Sequence, residues 1–411
     1  MIAKSEPQAA YTAFTSGFRH KITYFIRTIP DLQDVLKPLD KVIDSKLIPA
    51  ITEGHYCSSR DRRLLSLPVR LGGLGIPIFS ELCVREYAVS RETTKQLRIK
   101  IQAQQHNYNI DTVKQKEVEA KLKKERATYE KKELENIRKQ MSKEELRAND
   151  ISQMKGGSSW LTTLPLQDEV YTLNKREFFD AIALRYRWQI KRLPIHCACN
   201  SNKNKFDVDH AMNCKTGGFV HRRHDNIRDL LGEFVDGIAY DVRIEPPLQP
   251  LTGEVLSERT CKDDDARLDF SARGFYQKGE MALFDVKVIN PFAKSHMSSK
   301  LETIFKRAEN DKKQKYNERV IRVEHASFTP VVFSAYGGFG RETGMFLQKL
   351  AVKIADKYDF PLSVVSNHLR TKISFDLIRS QVMCLRGSRR RKMNYQLENV
   401  EVAENASNIK E

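Results

Sequence analysis

Two acids and a lysine stand out in the stretch LDFSARGFYQKGEMALFDVK, residues 268–287. Asp269 opens it, a short polar turn follows, and Asp285-Val286-Lys287 closes it. Two carboxylates brought together repel unless a cation lies between them. A hard cation such as Mg2+ or Mn2+ takes oxygen ligands, commonly one or two carboxylates with waters and substrate phosphate. Such an ion activates a water and stabilises a leaving oxygen. Lys287 beside it would orient that water and neutralise developing charge. The chemistry such a set would serve is phosphodiester cleavage. The plain alternative is an amphipathic hairpin whose charges simply face solvent.

A second cluster precedes it. Cys197, Cys199, His210 and Cys214 lie in HCACNSNKNKFDVDHAMNC. Three thiols and an imidazole form a tetrahedral zinc set of the closed, structural kind. The C-x-C spacing is tighter than usual and His196 is a spare donor; unmetallated core cysteines are the alternative. Next comes GGFVHRRHD, where Arg222, Arg223 and His224 sit at a helix start suited to phosphate contact or to plain solvation. Glu233, further along that helix, is a further candidate carboxylate for the metal site.

Alternation along 281–289 puts Asp285 and Lys287 on one face of a strand and Phe284, Val286 and Val288 on the other. A partner strand over 266–272 would bring Asp269 beside Asp285. A helix at 222–236 shows Ile227, Leu230, Leu231 and Phe234 on one face. A polar helix at 298–317, strands at 319–324 and 328–335, and helices at 341–358 and 367–384 complete an α/β pattern. Upstream, residues 10–95 read as helical, with LPVRLGGLGIP as a glycine-rich turn that is either a tight connection or a backbone phosphate contact. Residues 112–148 are dominated by Lys, Glu, Gln and Arg and suit a long solvated helix, by default a spacer, otherwise a coiled-coil arm or a nuclear-import signal. Asn174 is an expected N-cap for a helix over 175–188.

Seventy Lys+Arg against 53 Asp+Glu leave a formal charge of +17, which favours an anionic partner such as nucleic acid. Seven cysteines, clustered rather than paired, exclude a disulfide framework. With no secretory signal and no long apolar run, an intracellular location is expected, nucleus or cytoplasm, with no membrane partner. Arg386, Arg389, Arg390, Arg391 and Lys392 form a basic cluster fit for phosphates, nuclear import or solvation.

Taken together, these residues resemble the C-terminal part of a non-LTR retrotransposon polyprotein that carries a restriction-like endonuclease. The shared order is the Cys-Cys-His-Cys knuckle, GG…RRHD, ARLDF…FDVKVINP, DKKQKYN and the closing CLRGSRRRKMNY. The resemblance implies that Asp269 and Asp285 bind Mg2+ or Mn2+, that Lys287 assists cleavage, and that Lys312, Lys315 and Tyr316 carry the later Lys/Tyr motif. Leu268 stands where the family usually has Pro. The implied architecture is multidomain: an all-α thumb/connector-like region at 1–95, a charged helical spacer at 96–157, a helical linker at 158–192, a zinc knuckle at 193–221, an α/β restriction-endonuclease-like domain at 222–395 and a disordered tail at 396–411. The implied partners are DNA and element RNA. No Tyr-x-Asp-Asp box occurs, so polymerase activity is not expected. Either an endonuclease module or a non-catalytic nucleic-acid-binding remnant fits this pattern.

Overall fold

The computed structural model describes residues 2–106, 109–165, 169–199, 206–387 and 389. Arg390, Arg391 and the tail at 396–411 lie outside the described residues. The described chain is predominantly helical, with one small mixed sheet. No helix among the described residues is long and apolar enough to cross a membrane.

The N-terminal half is built from helices α1 (Arg19–Thr28), α2 (Gln33–Val42) and α3 (Phe79–Thr93). They pack around Ile26, Ile51, Leu65, Ile76 and Phe79. The glycine-rich turn is a buried connection. Tyr11 Oη donates to Leu74 O, Tyr186 Oη to Gly72 O, and Arg62 to Ile76 O and Pro77 O. Its own amides turn inward, Gly73 N to Pro68 O and Gly75 N to Leu67 O. They are therefore committed to protein carbonyls and do not cradle a phosphate.

The charged stretch forms two helices rather than one: α4 (Thr112–Arg138) and α5 (Lys143–Gln153). Ser142 starts the second with a capping box, accepting from Glu145 N while the Glu145 carboxylate accepts from Ser142 N. The spacer reading fails for the second half of this stretch. Leu134 and Ile137 join the N-terminal core, and Arg147 is buried, donating to the carbonyls of Pro291, His296, Met297 and Ser299. Helix α6 (Lys175–Tyr186) begins at Asn174, whose side chain accepts from Arg176 N and Glu177 N as the sequence indicates. Its Phe178, Phe179 and Ile182 also enter the N-terminal core, so the 158–192 segment is part of that core rather than a linker beside it.

The short helix α7 (Val208–Asn213) lies in the cysteine-rich segment, and α8 (Phe219–Asp236) follows. The sheet comes next: β1 (Tyr240–Ile244), β2 (Phe270–Arg273), β3 (Met281–Ile289) and β4 (Ser327–Ser334), in spatial order β1-β2-β3-β4. β1–β2 and β2–β3 are antiparallel and β3–β4 parallel. Helix α9 (Leu301–Arg322) connects β3 to β4, and α10 (Arg341–Tyr358) and α11 (Leu362–Arg386) close the fold.

Each sheet face has its own helices. Phe270, Phe284, Val286, Val331 and Phe333 pack against α8, α10 and α11. Leu283 and Phe328 meet Tyr316 and Val320 of α9, while Ile289 and Val332 meet its Ile304 and Phe305.

Two expected strands are corrected. Residues 319–322 are the last turn of α9: Val320 packs with Tyr316 one turn earlier, and Arg319, fully buried, donates to Cys261 O, Asp263 O and Gln249 O. The strand expected over 266–272 begins only at Phe270. Before it, Leu268 N bonds to Pro246 O and Arg267 bridges Pro247, so the chain bends at Asp269 and Leu268 faces α9 instead of sharing a face with Phe270. β1 was not anticipated, although YDVRI alternates apolar and polar residues; the strand is only five residues long and mostly exposed.

Arg147→Ala removes the donor for a set of carbonyls in the loop between β3 and α9. We expect a loss of about 2–4 kcal/mol in urea unfolding. A loss below about 0.5 kcal/mol would mean the loop does not depend on this clamp.

Candidate metal and acidic site

The alternation of β3 places Asp285 and Lys287 between Leu283 and Ile289 on the face covered by α9. Asp285 is 4% exposed. Burial pushes its carboxyl above the ordinary carboxylate range; Lys312 pulls it back down, and the charge of Asp269 pushes it further up. Lys312 Nζ, from α9, lies 2.6 Å from Asp285 Oδ2. This contact is an ion pair set off the usual hydrogen-bond angles.

Asp269 occupies the bend where β2 leaves β3. Its N–H donates to Phe284 O at 3.1 Å and its carbonyl accepts from Glu245 N at 2.9 Å. Its side chain continues the ladder in place of backbone: Oδ2 accepts from Val286 N at 2.5 Å. Oδ1 meets His224 Nε2 of α8 at 2.8 Å. That hydrogen bond raises the imidazole pKa above its ordinary value against the opposing effect of burial. Asp269 is thus held by the backbone amide directly following Asp285. The two acids act on each other electrostatically, as the hairpin pattern requires.

Lys287 takes a different partner, Asp311 of α9 at 3.8 Å. Tyr316 is buried beneath two ammonium groups, Lys315 Nζ 4.8 Å and Lys312 Nζ 5.8 Å from its ring centroid. The structure therefore pairs Asp269 with His224 and Asp285 with Lys312, lets the two acids act on each other electrostatically, and leaves Lys287 at the rim. Asp311 was missed by sequence reasoning; one acid in a lysine-rich helix carries no distinguishing signal. Glu233 does not belong to this group, because it sits further along α8 where its charge acts on Asp376 of α11.

The basic candidates divide. Arg222 is exposed. Arg223 is 2% exposed and donates to Met212 O, so it joins α8 to the cysteine-rich segment and is unavailable to a phosphate. His224 points at Asp269 rather than outward. Arg389 is likewise buried, its guanidinium between the rings of Phe206 and Phe219 at 4.8 and 5.0 Å. Gly387 makes room for this packing, since a Cβ there would lie 2.3 Å from Phe219 Cζ. Arg386 pairs with buried Asp180.

The donor atoms of Cys197, Cys199, His210 and Cys214 all lie within 4.8 Å of one another. Cys197 Sγ and Cys214 Sγ are 3.7 Å apart, as are Cys199 Sγ and His210 Nε2. Tetrahedral zinc with Zn–S near ~2.3 Å calls for sulfurs about 3.8 Å apart, so the cluster fits such an ion. Asp207 caps α7 by accepting from His210 N, which fixes the start of the helix that carries His210. His196 is exposed and outside the set. The chain can therefore hold a metal ion such as zinc here.

Compared with models of protein families and with curated proteins, the chain matches none.

Two outcomes follow. Purified protein should carry one zinc, released by a chelator with loss of helix signal, and Cys214→Ser should carry none; zinc retained at full stoichiometry in Cys214→Ser would refute the assignment. Asp285→Asn should stabilise the protein at pH 7, because it removes a buried charge that burial disfavours. The wild-type carboxyl has a folded pKa above the ordinary 3.8, so its penalty is full above that folded value and gone below 3.8. The gain measured by thermal unfolding should fade as pH falls through that window, and a gain independent of pH would contradict this account.

Proposed function

We propose that this chain is a metal-dependent DNA endonuclease module of retrotransposon type, with a structural zinc knuckle. The observation that carries the reading is the joining of the two acids: Asp269 is bonded through its carboxylate to Val286 N, the amide next to buried Asp285. An oxygen-only donor pair of this kind suits Mg2+ or Mn2+, which when bound would activate a water and offset charge on the phosphodiester. His224 and the Val286 amide fix the orientation of Asp269. Asp285 supplies a carboxylate shielded from bulk water, where its charge acts more strongly than on the surface. Lys287 and Lys312, one on the strand and one on the covering helix, place positive charge where a phosphate would approach.

Partner choice follows the same logic. The excess of basic residues favours a polyanion, and contacts to phosphate bind DNA, or the element's RNA, without reading sequence. Arg222, exposed at the start of α8, is the knuckle-side contact that remains once Arg223 and Arg389 are assigned to packing.

A supercoiled-plasmid nicking assay with Mg2+ or Mn2+ tests the reading. Wild type should nick, and Asp285→Ala should be slower by at least about 100-fold. If both are inert while binding DNA with a steep salt dependence, the chain is a nucleic-acid-binding protein without this chemistry.

A further inference from the structure

The acidic site holds a positive charge of its own. Lys312 Nζ sits against Asp285 Oδ2, with the lysine side chain 23% and the aspartate side chain 6% exposed. A carboxylate this buried is unfavourable without a partner, and Lys312 is its only cationic contact among the described residues. A divalent ion bound between Asp269 and Asp285 would need the same oxygen. Two cations cannot share it without strong repulsion.

We propose that Lys312 is a built-in counter-ion of Asp285 that a divalent metal must displace, so that the apo site is held closed and metal affinity is set by this competition. The inference rests on the metal-site reading above. The displaced ammonium has places to go. The Tyr316 ring lies 5.8 Å from Nζ, and the neighbouring Asp311 is more than half exposed and only loosely paired with Lys287. Lysine suits such an exchange: its flexible four-carbon stem can swing, where a forked guanidinium would hold a carboxylate more rigidly. Once the ion neutralises the two acids, the lysine charge is in excess there and is free to meet a phosphate of the substrate. Lys312 thus acts as a gate before metal binding and as a substrate contact after it.

The test reads metal binding, not cleavage. Full-length protein without DNA is titrated with MnCl2 and followed by calorimetry and by the rise of the unfolding temperature. Asp285→Asn serves as the baseline, because it removes the site and leaves the cysteine cluster intact. Wild type should bind above that baseline, and Lys312→Met should bind about tenfold more tightly while unfolding at a lower temperature without metal. Should Lys312→Met not fold, Lys312→Gln, which keeps a donor but no charge, carries the same expectation. Equal or weaker binding in the folded Lys312 variant would overturn the displacement proposal while leaving the metal site standing. No binding above baseline in wild type or variant would remove the metal-site reading itself, and this proposal with it.

Discussion

One helix is shared by three cores of the described chain. Along α11, Val365, Leu369, Ile373 and Leu377 recur every fourth residue and bury against the sheet layer. Phe375, Ile378 and Val382 lie on another side and complete the N-terminal helical core. Cys384 and Leu385, in the last turn, close the cluster under the cysteine-rich segment. A helix apolar on most sides is buried on most sides. The N-terminal helical region and the sheet-bearing region are therefore not strung together by a tether. They are cast against a common strut, and residues distant in sequence are placed by it.

Arginine supplies the second constraint. Arg62, Arg147, Arg223 and Arg319 are buried, and each donates to backbone carbonyls, with carboxylate pairing a minor theme. A guanidinium offers five donors in a fixed fork, so one side chain can satisfy a loop that has no ladder of its own. The loop after β3 and the loop beneath the end of α9 are both secured in this way. Part of the chain's positive charge is thus structural. Net charge alone overstates the basic surface available to a nucleic acid.

The sequence was most informative where periodicity and chemistry coincided. Alternation along β3 placed Asp285 and Lys287 on the face opposite Phe284 and Val286, and that is the observed arrangement. The spacing of Cys197, Cys199, His210 and Cys214 marked a cluster that the fold brings together. The errors came from reading charge without helical phase. Arg223 and His224 fall within a turn of Ile227 on the inward side of α8, so their burial was available in the pattern. Arg389 follows the end of α11, where no period applies, and its place between two rings depends on contacts far apart in sequence. The β-branched run at 319–324 looked like a strand in isolation; the buried Arg319 and its carbonyl partners decided for helix. The bend at Asp269 depends on pairing with Pro246 and Pro247, a tertiary fact with no local signature.

The opening turns of α8 tie two sites to one rigid body. Arg223 fastens to Met212 in the cysteine-rich segment, and His224, the very next residue, fastens to Asp269 at the sheet. Consecutive residues of an α-helix are separated by about 1.5 Å of rise and about 100° of rotation, so neither fastening can shift without the other. The cysteine-rich segment then works as a calibration weight: a displacement at Met212 is passed through the opening turn of α8 to the imidazole that orients Asp269. Precision at the acid pair is in this sense borrowed from a neighbour that takes no part in its chemistry.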